Sequence, residues 1–163
     1  MHTRQRKIPS AIFSKLVRKN ISFTGILFFL PGIAYVVNLN FGFTLNYTMY
    51  AWFSLLFVTM GSVIMYFNVK KIGRLANLIM YGNIGKAVLT EIFESTSGDM
   101  KLYKLVFIVE QEERQFSFSE EITGELTFKT GHAYLAIYPP ESPEEARIAE
   151  LILPELKEWL ERV

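Results

Sequence analysis

The chain has no cysteine, which removes disulfides, thiolate metal sites and cysteine nucleophiles from consideration. It has no acidic residue before Glu91 and a single aspartate, Asp99. Its two histidines are His2 and His132. Residues 20–69 contain no Asp, Glu, Lys, Arg or His at all. Ion and proton pathways through a membrane use ionisable groups inside it, and this run offers none. A lone hairpin cannot enclose a pore, so channel or pump activity would require many copies or another subunit.

What the chain does have is hydrophobicity in one block. A bilayer-spanning helix needs about 20 apolar residues, so the uncharged run is long enough for two spans and a turn. The expected first span is 21–39, kinked by Pro31, which removes one backbone hydrogen bond. The turn is Asn40 to Asn46, and the second span is 47–69, with Tyr47, Tyr50 and Trp52 at headgroup level. The run exceeds a signal-peptide core and lacks a small-residue cleavage site, so it reads as an anchor. The N-glycosylation patterns at Asn20 and Asn46 read as chance.

Charge sets orientation. The basic segment 1–20 ends in Arg18 and Lys19, and Lys70, Lys71 and Arg74 follow the second span. The turn is uncharged. By the positive-inside rule both termini are cytoplasmic, as in a multi-pass protein of the inner (plasma) membrane. Ile8, Ile12 and Leu16 recur at spacing four, as in a short amphipathic helix on an anionic membrane face. Gly25 and Gly32 share one face of the first span, and Ser54 and Gly61 share one face of the second. In an antiparallel hairpin Gly25 lies level with Gly61 and Gly32 with Ser54, a small-residue helix-packing seam.

Past the spans the pattern changes. A juxtamembrane helix over 70–84 is expected to end at Gly82 and Gly85. A small β domain then fills 85–142. Its strands are read at Ala87 to Phe93, Leu102 to Gln111, Gln115 to Ser119 and Ala133 to Tyr138, with Leu126 and Phe128 as part of another. Ser95 to Asp99 and Gln111 to Arg114 read as reversals, and Glu120 to Glu125 as a loop. The segment 143–163 opens on a capping-box pattern at Ser142-Pro143-Glu144-Glu145 and is split by Pro154. Arg147 to Leu151 fits either helix or an extra strand. The expected fold is therefore a membrane α-helical hairpin plus a small, mostly antiparallel, barrel-like β domain of four to five strands with a short C-terminal helix.

Candidate chemistry in the β domain is sparse. His132 sits in a Gly-rich turn, and Asp99 in a turn where aspartate is locally favoured. Glu110, Glu112 and Glu113 crowd one reversal beside Arg114, as solvated turn charges do. Ser117 and Ser119 have no His or Asp at nucleophile spacing, and Gly82-Asn83-Ile84-Gly85 lacks the Lys and Ser/Thr of a phosphate loop. Phe107, Phe116, Phe118, Phe128 and Tyr134 read as core, not as a base-stacking platform, because Lys and Arg do not interleave them. All 16 acids lie from Glu91 onward, which argues against nucleic acid as a partner. No catalytic, metal or cofactor residue is expected.

Gly85-Lys86-Ala87-Val88 after two apolar spans, and Tyr138-Pro139-Pro140-Glu141-Ser142-Pro143 after Gly131 and a short strand, carry a resemblance. The layout resembles a bacterial domain of unknown function whose β region ends in Tyr-Asp-Pro-x-Asn-Pro. Gly131, Tyr138, Pro140 and Pro143 match, whereas Pro139 replaces the Asp and Ser142 the Asn. The resemblance covers roughly residues 80 to 148 plus the hairpin, implies a barrel-like β domain on an anchor and brings no catalytic residues. A second resemblance is to bacterial pleckstrin-homology-like membrane proteins, but these need about seven strands, more than the pattern provides. The expected function is a binding or scaffold module, not an enzyme, anchored in the lipid bilayer and contacting a protein partner or a second copy. The alternatives are an accessory subunit of a larger membrane complex, and an enzyme built on a polar pocket around His132 and the Glu110–Glu113 turn.

Overall fold

The computed structural model describes residues 5–41, 47–97, 100–111 and 114–162. Two compact units divide it: residues 14–75 form one, and residues 1–13 with 76–163 the other.

The helical unit begins within α1 (Ser10–Asn20) and continues through α2 (Phe23–Leu27), α3 (Leu30–Phe41) and most of α4 (Tyr47–Tyr81). The expected single span at 21–39 is two helices. Pro31 has no N–H to give to Leu27, the residue four back, and its ring crowds that carbonyl. Helix α2 therefore ends at Leu27, and a tighter turn, Phe29 N–H to Ile26 O at 3.0 Å, joins it to α3, whose first turn holds Pro31. The break thus falls one turn before the proline. Helix α4, by contrast, runs 35 residues without interruption at Val69. It stops at Tyr81, where Gly82 N–H closes the last turn on Leu78 O at 2.8 Å. The Asn40 to Asn46 turn falls largely on 42–46, outside the described residues, and Asn46 with it.

The other unit is built on a five-stranded antiparallel sheet in the order β3-β2-β1-β4-β5, curled into a half-barrel. Its strands are β1 (Asn83–Ser97), β2 (Met100–Gln111), β3 (Arg114–Thr123), β4 (Ala133–Tyr138) and β5 (Arg147–Ile148). Alternation places Ala87 and Leu89 of β1 and Tyr103, Leu105, Phe107 and Val109 of β2 on the buried face. Thr90 is an extra residue between Leu89 and Glu91, a bulge that shifts the register. The shift puts Leu89 and Ile92 on the same face, which strict alternation would forbid. Phe107 is the centre of the core, stacked on Phe118 with ring centroids 5.4 Å apart and edge-on to Phe128 and Tyr134. The five aromatic residues read from the sequence as core are core or packed against it.

Several boundaries differ from the sequence reading. Gly85 lies in β1, not at a helix end. The Tyr138 ring lies over it, so a Cβ there would come within 2.9 Å of Tyr138 Cε1. Glu120 to Thr123 continue β3, because their alternation with Phe118 and Ile122 holds and β2 is long enough to pair them. Leu126 and Phe128 lie in irregular chain; Phe128 is buried without a ladder. Ser142 makes no side-chain cap, and Pro143–Glu145 is a single 3-10 turn. Arg147 to Leu151 is both alternatives in succession, β5 and then α5 (Ala149–Ile152), with Pro154 opening α6 (Pro154–Leu160).

Candidate functional site

The sheet has two edge strands, β3 and β5, and side chains join them. Glu120 stands on the core-facing row of β3, between Phe118 and Ile122. Arg147 on β5 donates from Nη1 to Glu120 Oε2 at 2.7 Å. The Ile148 backbone N–H also hydrogen-bonds the Glu120 carboxyl. Backbone pairing between β3 and β5 is thus replaced by a carboxylate clasp, which satisfies one N–H of an edge strand. Burial pushes the Glu120 carboxyl above its ordinary value, against the opposing pull of Arg147 and the Ile148 N–H. Arg147 keeps half of its side chain in solvent.

A second polar assembly stands where α4 becomes β1. Arg6 donates its guanidinium to Ile79 O at 3.0 Å and to Gly82 O, and its backbone N–H to Met80 O at 3.0 Å. Gln5 Nε2 donates to the Tyr81 hydroxyl at 3.1 Å. The last carbonyls of a helix have no intrahelical partner and carry the negative end of its dipole, so a cation there satisfies both needs. The half-buried position lowers the Arg6 pKa through desolvation, without an acid to offset it. Gly82 is needed at this joint, since a Cβ would meet Leu78 O at 2.5 Å and Ile137 Cγ2 at 2.8 Å.

An open groove is lined by Thr127, Phe128, Pro154 and the charged side chains of Glu150, Lys157, Glu158 and Glu161. Lys157 pairs there with Glu150 at 2.5 Å, and Glu158 with Arg162 at 3.8 Å. His132 is exposed, with Nδ1 3.5 Å from Thr130 O, and its backbone accepts from Leu89 N–H at 3.1 Å. The adjoining Gly131 has φ +79°, which accounts for glycine in that turn. Glu110 is exposed, while Glu112, Glu113 and Asp99 lie outside the described residues. Among the described residues no group of three His, Asp or Glu is placed to hold a metal ion.

In the helical unit the four small residues singled out from the sequence all lie at contacts with α4 or from it. A Cβ on Gly25 would meet Ile64 Cγ2 at 3.0 Å, and one on Gly61 would meet Phe28 Cβ at 3.0 Å and Gly25 O at 3.2 Å. Gly32 faces Val58, whose Cγ2 a Cβ would meet at 2.5 Å, and Ser54 donates its hydroxyl to Pro31 O at 3.1 Å. Gly25 and Gly61 are brought together; Gly32 meets Val58 and Ser54 meets Pro31. Arg18, Lys19, Lys70, Lys71 and Arg74 are all exposed. Lys70 Nζ lies 5.8 Å from the centroid of the Tyr66 ring. Ile12 and Leu16, the apolar positions of α1, are buried in the chain, so they do not face lipid as the amphipathic reading expected.

Neither clasp was legible beforehand. Glu120 left a signal, an acid in step with Phe116, Phe118 and Ile122. Arg6 left none, since a basic residue in a basic segment reads as an orientation charge. The chain matches no protein-family model, no curated protein and no solved structure. The resemblance drawn from Gly85-Lys86-Ala87-Val88, Gly131, Tyr138, Pro140 and Pro143 therefore rests on those residues and the layout around them.

Proposed function

We propose that the chain is a membrane-anchored binding or scaffold module. The helical unit sits in the bilayer as a hairpin, and the half-barrel works on the cytoplasmic side. One observation carries the reading. Helix α4 is long and apolar enough to cross a membrane, and only 11% of its apolar window is buried within the chain. A core helix of a soluble protein is mostly buried. Here Trp52, Leu55, Tyr66, Phe67 and Val69 are each more than half exposed, and a contiguous apolar surface of this kind calls for lipid or a partner. The first arm passes the same test only when α1 is joined to Phe23–Val37 across a 68° bend. Its support is the exposed apolar surface at Phe23, Leu30, Ile33 and Val36, together with the small-residue contacts to α4.

The charges support the orientation. Every cation of the helical unit flanks the uncharged run, and the unit has no acid. In the β domain the polar clasps, Glu120 with Arg147 and Arg6 with the end of α4, hold elements together, and the binding role is assigned to its surfaces. The test is a reporter fused after Val163 combined with alkaline extraction of membranes. The expected outcome is a protein retained in the bilayer with the reporter in the cytoplasm. A protein soluble without detergent, or a reporter exposed outside, overturns the reading.

A further inference from the structure

The outer face of the half-barrel carries a pattern that the core does not require. On β2 the outward row reads Lys104, Val106, Ile108, Glu110, with the two apolar residues half-buried and the two charged residues exposed. Val88, 41% exposed, stands beside Ile108 on β1, and Phe93, 54% exposed, beside Lys104. Val106 and Ile108 support their strands through cross-strand packing, and with Val88 and Phe93 beside them they also give the face an apolar surface that a partner can cover. The charges say what kind of surface that is. Glu91, Glu110 and Glu121 share this face with Lys86 and Lys104, a mixture that suits neither an anionic lipid surface nor a phosphate backbone.

The β2 row is antisymmetric in charge about its middle. A two-fold axis lying between two facing sheets and crossing β2 at Phe107 sets the strands of the two copies antiparallel. Lys104 of each copy then meets Glu110 of the other, Val106 meets Ile108, and on β3 Ser117 meets Ser119. No like charges face one another along β2. Sheets packed face to face lie roughly 10 Å apart and cross at about 30°, a gap that Lys and Glu side chains span together. A two-fold interface must be self-complementary, with residue i meeting j and j meeting i, and this row satisfies that condition.

We propose that the outer face of β1–β2–β3 is a self-association surface on which a second copy of the chain docks through the Lys104-Val106-Ile108-Glu110 row. The proposal deepens the scaffold reading and rests on it, since it makes the partner of the β domain another copy in the same membrane.

The experiment measures self-association of the full chain in lipid nanodiscs or mild detergent, by energy transfer between differently labelled copies. Lys104→Glu alone and Glu110→Lys alone each place like charges against one another twice per dimer, and each is expected to weaken association at least ~30-fold. The double variant restores the opposite-charge pairs and is expected to return to within about threefold of the original chain. Mixing the two single variants is expected to give mixed dimers that neither forms alone. Lys104→Gln, which adds no acid beside Glu121, is expected to weaken association by about three- to tenfold, with melting curves confirming an intact sheet. Association that ignores the single reversals, or single losses that the double variant does not rescue, overturns the proposal. So does a monomeric chain that remains in the membrane, a result that leaves the anchored-module reading standing. Loss of membrane residence would instead overturn that reading, and with it the part of the proposal that sets both copies in one membrane.

Discussion

Glu120 shows how one acid can define the edge of a sheet. Its row is apolar and its neighbours are phenylalanines and isoleucines, so its charge is tolerated only because Arg147 and the Ile148 N–H converge on it. Desolvation outweighs both, and the carboxyl is raised in the folded state. A raised acid stabilises the fold while it is protonated. That contribution is complete below the ordinary carboxylate range and is lost as pH rises through the raised value. Denaturation of the β domain followed upward from the ordinary carboxylate range is therefore expected to show stability falling as pH rises, and Glu120→Gln is expected to flatten the slope. Arg147→Ala is expected to cost about 1–2 kcal/mol near neutral pH, nearer a surface pair than a buried one because Arg147 is half exposed. The cost shrinks in acid, where the carboxyl no longer needs a cation. Phe107 is a simpler case: fully buried and touching three aromatic rings, it is expected to lose about 3–5 kcal/mol on Phe107→Ala, read from the same melts.

At the scale of elements, the junction of α4 and β1 is held by a residue far away in the chain. Arg6→Ala removes two charge-assisted bonds to helix-end carbonyls and is expected to cost roughly 1–2 kcal/mol. Hydrogen exchange distinguishes this from a general loss of stability, since amides in the last turn of α4 should exchange faster while those of β2 stay protected. Between the helices, Gly61→Leu would drive a side chain into Phe28 and the Gly25 carbonyl. Overpacking of this kind typically costs about 1–3 kcal/mol, measurable by detergent titration of helical structure. The elements also show what local pattern reveals. Local pattern marked β2 and β4 closely, β2 by its apolar row Tyr103, Leu105, Phe107 and Val109, and β4 by a short continuous apolar run. It lost β3 at Ser119, because Glu120 looked like the start of a polar loop. It could not reveal the bulge at Thr90, since an extra residue is visible only against its partner strand. Pro31 foretold an interruption but not its place, because a proline disturbs the turn before it.

For the whole molecule, two solvents are in play if the helical unit lies in lipid. Backbone hydrogen bonds in a bilayer have no competing water, whereas the half-barrel depends on burying apolar side chains from water. Urea added to the chain in lipid nanodiscs is therefore expected to abolish the hydrogen-exchange protection of the β1 and β2 amides while that of most α4 amides persists. One coincident transition for both sets of amides would contradict a lipid-embedded helical unit.

The sequence by itself determined the uncharged block, the basic flanks, the order of helices before strands, and the middles of β1, β2 and β4 as strands. These follow from short-range periodicity and charge, which any local window contains. Only the tertiary structure decided that Arg6 caps a helix ending more than seventy residues later, that Glu120 and Arg147 clasp opposite edges of a curled sheet, and that an outward row of β2 leaves Val106 and Ile108 half-buried between exposed charges. Those outcomes depend on which distant groups meet when the chain closes on itself, and contacts between residues so far apart leave no periodic trace in the residues that make them.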